Sequence, residues 1–162
     1  MDAPVYQAKF LFSELPSATL VVTCSSNAYS PYVREFLTQH LGLAEGTYDY
    51  VSVPGGPQFL LLTEYLPKFA WAGQRWLKFL VERHRLKRAI LVTHEDCAWH
   101  DDDRMLPALV HRLAGHTAGP EAPLGDLRRM VEALREHLPG LAVEGYHARK
   151  EPDNRVGFVR AS

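Results

Sequence analysis

The chain has 162 residues, 46% of them apolar, and a formal net charge of −1. That length and composition fit one globular domain with a core large enough to stand without disulfides, and the near-zero charge gives no global pull toward nucleic acid or an anionic membrane surface. No apolar run approaches the roughly 20 residues that cross a bilayer, and the start Met1-Asp2-Ala3-Pro4 lacks the charged-then-apolar order of a secretion signal, so a cytoplasmic protein is expected.

Residues 1–17 read as an N-terminal arm or short helix, with Phe10, Leu11, Phe12 and Leu15 offering apolar surface to dock, ahead of a single domain over 18–162. Leu20 to Cys24 is a continuous β-favouring run. Ser30 and Pro31 cap and open a helix through about His40, with Val33, Phe36, Leu37 and Leu41 at helical spacing and Gly42 and Gly46 beyond its end. Tyr48 to Val53 is the second strand, closed by Pro54-Gly55-Gly56-Pro57, where glycine permits positive φ or close approach to a ligand. Gln58 to His84 has a helical pattern interrupted at Pro67, with Trp71, Trp76, Phe79 and Leu80 as an apolar face and a basic cluster (Arg83, Arg85, Lys87, Arg88) near its end.

Ala89 to Thr93 is the third strand, and Asp101 to Asp103 suit the start of a helix running to about Leu113. Gly115 to Gly125 reads as a loop and Asp126 to Leu138 as an amphipathic helix stopped by Pro139-Gly140. Leu141 to Arg149 and Arg155 to Arg160 are two short closing strands. The order β-α-β-α-β-α-α-β-β predicts an α/β domain with a mostly parallel sheet flanked by helices. No G-x-G-x-x-G follows the first strand and no P-loop lysine motif occurs, so the usual phosphate cradle of a nucleotide site is missing.

Three residues carry the chemistry. Cys24 ends the first strand, His94 and Cys97 follow the third at H-x-x-C spacing, and no other cysteine exists. The two thiols are 73 positions apart, unlike a zinc knuckle or a redox C-x-x-C pair. Adjacent parallel strands would bring both ligand segments to one carboxyl edge, where open α/β sheets place ligands. Thiolate and imidazole donors suit Zn2+, and three protein ligands leave a tetrahedral ion one open position, as catalysis requires.

The run C-S-S-N-A-Y-S-P over Cys24 to Pro31, followed by H-E-D-C over His94 to Cys97, resembles the β-class carbonic anhydrases, whose pattern is C-x-D-x-R and then H-x-x-C. The resemblance covers most of the chain, with Val51 to Gly56 as the second strand and its glycine turn. It implies zinc on Cys24, His94 and Cys97. In that family an Asp and an Arg orient the water that zinc activates; here Ser26 and Ala28 stand at those positions. Losing one partner of a buried pair strands a charge, whereas losing both does not.

The expectation is therefore a zinc protein of that fold with CO2 hydration weak or lost, acting on a small-molecule substrate as a hydratase or hydrolase of a different small electrophile. Ser26 and Asp96 are the candidate catalytic groups: a hydroxyl in place of the aspartate, and a carboxylate beside Cys97. Tyr29 is a candidate donor or a packing residue, and His100 with Asp101 to Asp103 a candidate second metal or proton-shuttle site or, more simply, a helix cap. The remaining histidines show no ligand spacing. Two other readings stay open: a binding or structural module stapled by zinc, which a fourth protein ligand would mark, and a metal-free α/β domain with a small molecule at the strand edge. The apolar arm and the tryptophan-bearing helix predict a homodimer or an assembly of dimers, and the resembling family assembles through its N-terminal segment and sheet edge.

Overall fold

The computed structural model describes residues 4–9, 12, 16–62, 67–101 and 122–161. Among them, five strands make one sheet: β1 (Thr19–Cys24), β2 (Asp49–Val53), β3 (Arg88–His94), β4 (Ala142–Lys150) and β5 (Val156–Arg160), in the spatial order β2-β1-β3-β4-β5. The first four are parallel, and β5 returns antiparallel to β4. Helices α1 (Ser30–Gln39), α2 (Pro67–His84), α3 (Ala98–Asp101) and α4 (Ala122–His137), with a 3-10 helix over Gly56–Leu62, lie between the strands. This is the α/β domain with a mostly parallel, helix-flanked sheet that the order of apolar runs predicts.

Strands β1 and β3 are continuous apolar runs because helices cover both faces of the sheet where they lie. Leu20, Val22, Leu91 and Val143 pack with Phe59, Leu77 and the Leu127, Met130, Val131 and Leu134 stripe of α4. On the other face Val21, Ile90, Val92 and Tyr146 pack with Val33, Phe36 and Leu37 of α1. Phe36 stacks on Phe158 with ring centroids 4.1 Å apart and meets Tyr146 edge-on at 4.9 Å.

Several boundaries differ from the sequence expectation. The stretch from Gln58 to His84 is not one interrupted helix: Gly56–Leu62 is a separate 3-10 helix and α2 begins at Pro67. A first-turn proline forfeits no intrahelical bond, so Pro67 starts the helix instead of breaking it. For the same reason α4 starts at Ala122, inside the stretch read as loop, with Pro123 in its first turn. The helix after β3 opens at Ala98, before Asp101, and its continuation to Leu113 lies outside the described residues, as do Asp102 and Asp103.

The apolar face assigned to α2 is split: Trp71, Trp76 and Phe79 look outward, 57%, 59% and 61% exposed, while Leu80 packs against the core and, among the described side chains of the helix, Leu77 buries fully. In the arm, the described residues form neither helix nor strand, and Val5, Tyr6 and Phe12 are exposed; Phe10, Leu11 and Leu15 lie outside the described residues. Among the described residues no helix is long and apolar enough to cross a membrane.

Candidate metal centre

β1 and β3 are parallel neighbours, so both end at one edge of the sheet and bring Cys24 and His94 there. Returning Cys97 to them takes a tight turn. Asp96 makes it at φ +51°, a left-handed conformation that Asp tolerates better than most residues, and the Glu95 N–H ties the turn to the Ala148 carbonyl at 2.9 Å. One donor atom from each of Cys24, His94 and Cys97 lies within 4.8 Å of the others. The two sulfurs are 3.8 Å apart. Sulfurs each ~2.3 Å from a tetrahedral ion stand about 3.8 Å apart, whereas a disulfide needs ~2.05 Å.

His94 turns the right nitrogen to them. Its Nδ1 donates to the Glu95 carbonyl at 2.6 Å, and since a carbonyl only accepts, that bond keeps the proton on Nδ1 and leaves the lone pair of the neutral ring on Nε2. Nε2 is buried without a hydrogen-bond partner. Such an orphan costs ~1–3 kcal/mol, a cost that a cation held between it and the sulfurs would remove. Donor types, spacing and tautomer all fit a metal ion, and the three residues form a cluster capable of coordinating one.

The electrostatics agree. The hydrogen bond with Cys97 is the main influence lowering the Cys24 thiol to about 4, against burial, which raises it; His94 and the Ser26 main-chain N–H assist. His94 is depressed by burial, but the Cys24 sulfur and the Glu95 carbonyl outweigh that and shift it upward. The lowered thiol favours the thiolate, the form that binds metal, and the proton held more tightly by His94 is the one that metal binding would release.

Tyr29 backs the histidine. Its ring stacks on His94 with centroids 4.3 Å apart, and its hydroxyl donates to Glu95 Oε1 at 3.2 Å. Burial and the neighbouring Glu95 carboxylate push the phenol up to about 12. The packing alternative for Tyr29 is thus the observed one, and its hydroxyl is already engaged by Glu95.

The cluster opens into a pocket of about 580 Å³ whose walls include Ser26, Asn27, Gly55, Asp96 and Trp99. Ser26 is half-buried and Ala28 exposed, and neither a hydroxyl nor a methyl group supplies a charge. Asp96 is on the pocket wall but outside the three-residue cluster, and its carboxylate pairs with Lys150 Nζ at 2.8 Å; that pairing lowers the Asp96 pKa. The side chains of His100, Asp101, Asp102 and Asp103 lie outside what the structure describes, and so does the second site read from them.

The glycine turn borders the site as its sequence suggests, with a different occupant. A Cβ on Gly55 would fall 2.3 Å from the Trp99 ring, and one on Gly56 2.8 Å from the Cys24 backbone nitrogen. What approaches closely is the protein's own indole and backbone. Glu95 and Trp99 have roles here that sequence reasoning missed. Their only signal is position: Glu95 lies inside the H-x-x-C loop, and Trp99 is a large aromatic two residues after a ligand.

No family model and no curated protein matches the chain by sequence. Solved structures do match by shape. A carbonic anhydrase from Streptococcus mutans is similar over 94% of this chain and 87% of its own, at 15% identity and a TM-score of 0.56. The β-carbonic anhydrase CafA of Aspergillus fumigatus is similar over 91% and 77%, at 15% identity and a TM-score of 0.56. A carbonic anhydrase from Glaciozyma antarctica is similar over 91% and 83%, at 15% identity and a TM-score of 0.51. The chain therefore has a divergent β-carbonic anhydrase-like fold, with a Cys-His-Cys metal cluster and without the Asp/Arg pair.

Proposed function

We propose that this protein binds one zinc ion through Cys24, His94 and Cys97 and serves as a hydratase or hydrolase of a small electrophile other than CO2. The observation that carries this reading is the orphaned, buried Nε2 of His94 beside two sulfurs 3.8 Å apart, at the edge of an open pocket. Bound zinc would supply a Lewis acid that makes water nucleophilic near neutral pH. The chain's own residues do the rest. Tyr29 and Glu95 hold the imidazole, the Ser26 hydroxyl accepts a hydrogen bond from water in the pocket, and Asp96, kept ionised by Lys150, accepts a hydrogen bond at the rim.

Charge is what Ser26 lacks, and this supports weak CO2 hydration. A zinc that only staples the sheet would need a fourth protein donor, and among the described residues the cluster has three. The test is metal content together with the fourth ligand: an exchangeable water supports chemistry, and a protein side chain there would overturn it in favour of a structural site.

The proposal extends to a homodimer. The exposed Val5, Tyr6 and Phe12 of the arm and the exposed Trp71 and Phe79 of α2 are large apolar groups that this chain leaves uncovered. Light scattering at micromolar concentration should give twice the chain mass; a monomer would contradict it.

A further inference from the structure

A second cavity adjoins the metal pocket. It measures about 250 Å³, and among the described residues its walls include Val51, Val53, Phe59, Trp76, Leu77 and Trp99, all with apolar side chains or rings. Trp99 and Pro54 belong to both cavities. The link is structural as well as spatial: Val53 is the ladder partner of Cys24, and its carbonyl accepts the Ser25 N–H at 3.0 Å. The indole of Trp99, lying on Gly55, lines both, at the junction of a polar space that ends in metal donors and a space whose described walls are almost wholly carbon.

We infer that the apolar cavity is the side-group subsite of the metal centre, so that the substrate is an electrophile carrying a short alkyl chain of about four to six carbons, or a phenyl ring. This rests on the proposed zinc reading and names its substrate class. Size supports it: an engineered apolar cavity of roughly 150 Å³ takes benzene, so 250 Å³ accepts a ring or a short chain, and CO2 would leave it empty. Shape supports a small molecule over a second copy of the chain. The cavity is concave, and its inner wall is the buried pair Phe59 and Leu77, while Trp76 and Pro54 are the exposed residues at its described rim. Water in such a space gains no hydrogen bonds, so each methylene entering it is favourable.

The test uses alkyl hydroxamates, which grip a metal with the head group and carry the tail as the variable. Binding of acetohydroxamate, butanohydroxamate and hexanohydroxamate to the zinc-loaded protein is measured by calorimetry. Affinity should rise ~3-fold per methylene, approaching 100-fold from the first to the last. Ala72→Phe, which fills the cavity from α2, should remove most of the rise. Trp76→Ala, at a position exposed enough not to threaten folding, should reduce it. Equal affinities across the series, on protein that binds acetohydroxamate, would overturn the subsite and leave the zinc reading standing. No binding of any hydroxamate to protein with full zinc would overturn the open zinc site and this inference with it. A rise that survives both substitutions would overturn the assignment to this cavity. A flat series with Trp76 signals that change on dilution would put a second copy there instead.

Discussion

The two ends of the sheet are built on opposite principles. At the amino edge, where β3 and β4 begin, charges are satisfied: Arg88 Nε meets Glu144 Oε1 at 2.5 Å, Tyr146 donates to Glu144 Oε2 at 2.7 Å, Arg160 stands 3.6 Å from the same carboxylate, and His84 pairs with Asp49 at 2.6 Å. At the carboxyl edge, a buried nitrogen has no partner and two thiols sit side by side. The amino end balances these charges, and the carboxyl end, though it pairs Asp96 with Lys150 and Tyr29 with Glu95, leaves the His94 Nε2 unspent beside the sulfurs. Open α/β sheets place ligands outside the carboxyl ends of their strands, and unsatisfied groups are a cost that function explains better than stability does. Substitutions at the two ends should therefore fail in different ways.

The largest effect belongs to the ligands. Cys24→Ser and His94→Ala should each strip the roughly one zinc per chain expected for the parent, read by elemental analysis. With free zinc near a thousand times its Kd the parent gains about 4 kcal/mol, so the variants should melt roughly 10 °C lower in zinc-containing buffer and match the parent more closely in chelator. Zinc retained in full by both variants would end the distinction between the two edges.

Next comes turnover. Ligands lie on or beside strands and persist, whereas the loop leaving β1 has Ser26 and Ala28 where the resembling family has its orienting pair. Without that pair CO2 hydration should fall ~10- to 100-fold or more below an enzyme that has it. A stopped-flow proton-release assay on zinc-loaded protein measures this. The double change Ser26→Asp and Ala28→Arg should recover much of the loss with zinc affinity unmoved. No recovery would mean that the pocket has diverged beyond those two positions.

A smaller effect is expected one layer further out. Tyr29→Phe keeps the ring on His94 but removes the hydroxyl from Glu95, and zinc affinity should drop about 10-fold or less, at the low end for groups that hold a ligand in place. A competition titration with a chromophoric chelator reads it. An unchanged affinity would restrict Tyr29 to the stacking contact.

How much of this was legible follows the same division. Cys24, His94 and Cys97 could be read because ligands on adjacent parallel strands need only the strands to end together, and continuous apolar runs mark such strands plainly. The sheet order was half legible: parallel crossovers follow from alternating strands and helices, but the antiparallel return of β5 does not. Pro67 and Pro123 misled because proline breaks a helix interior and favours a first turn, and sequence does not say which applies. The outward face of Trp71, Trp76 and Phe79 was hidden for a different reason, since apolar helical spacing identifies a stripe without saying what covers it. The contacts of Tyr29, Glu95 and Trp99 join distant segments, so the sequence marks these residues only by their places near the ligands and not by what they touch.

The smallest effect tests the amino edge. Burial raises Glu144, but hydrogen bonds from Arg88 and Tyr146, with the charges of Arg88 and Arg160, outweigh it and lower the pKa overall. A carboxylate whose pKa is depressed on folding contributes stability that is present above its unfolded value of ~4.3 and is lost as pH falls through the folded value. Glu144→Gln should accordingly cost about 1 kcal/mol at pH 7, a modest figure because Arg160 is exposed and salt screens its share. The difference between variant and parent should shrink steadily as pH drops from about 5 toward 3. Urea unfolding across that range measures it, and zinc content at pH 7 should be the same in both. A pH-independent difference would mean that the variant's loss is packing and not charge, while any loss of zinc at neutral pH would show that the two edges are coupled through β3 and β4 after all.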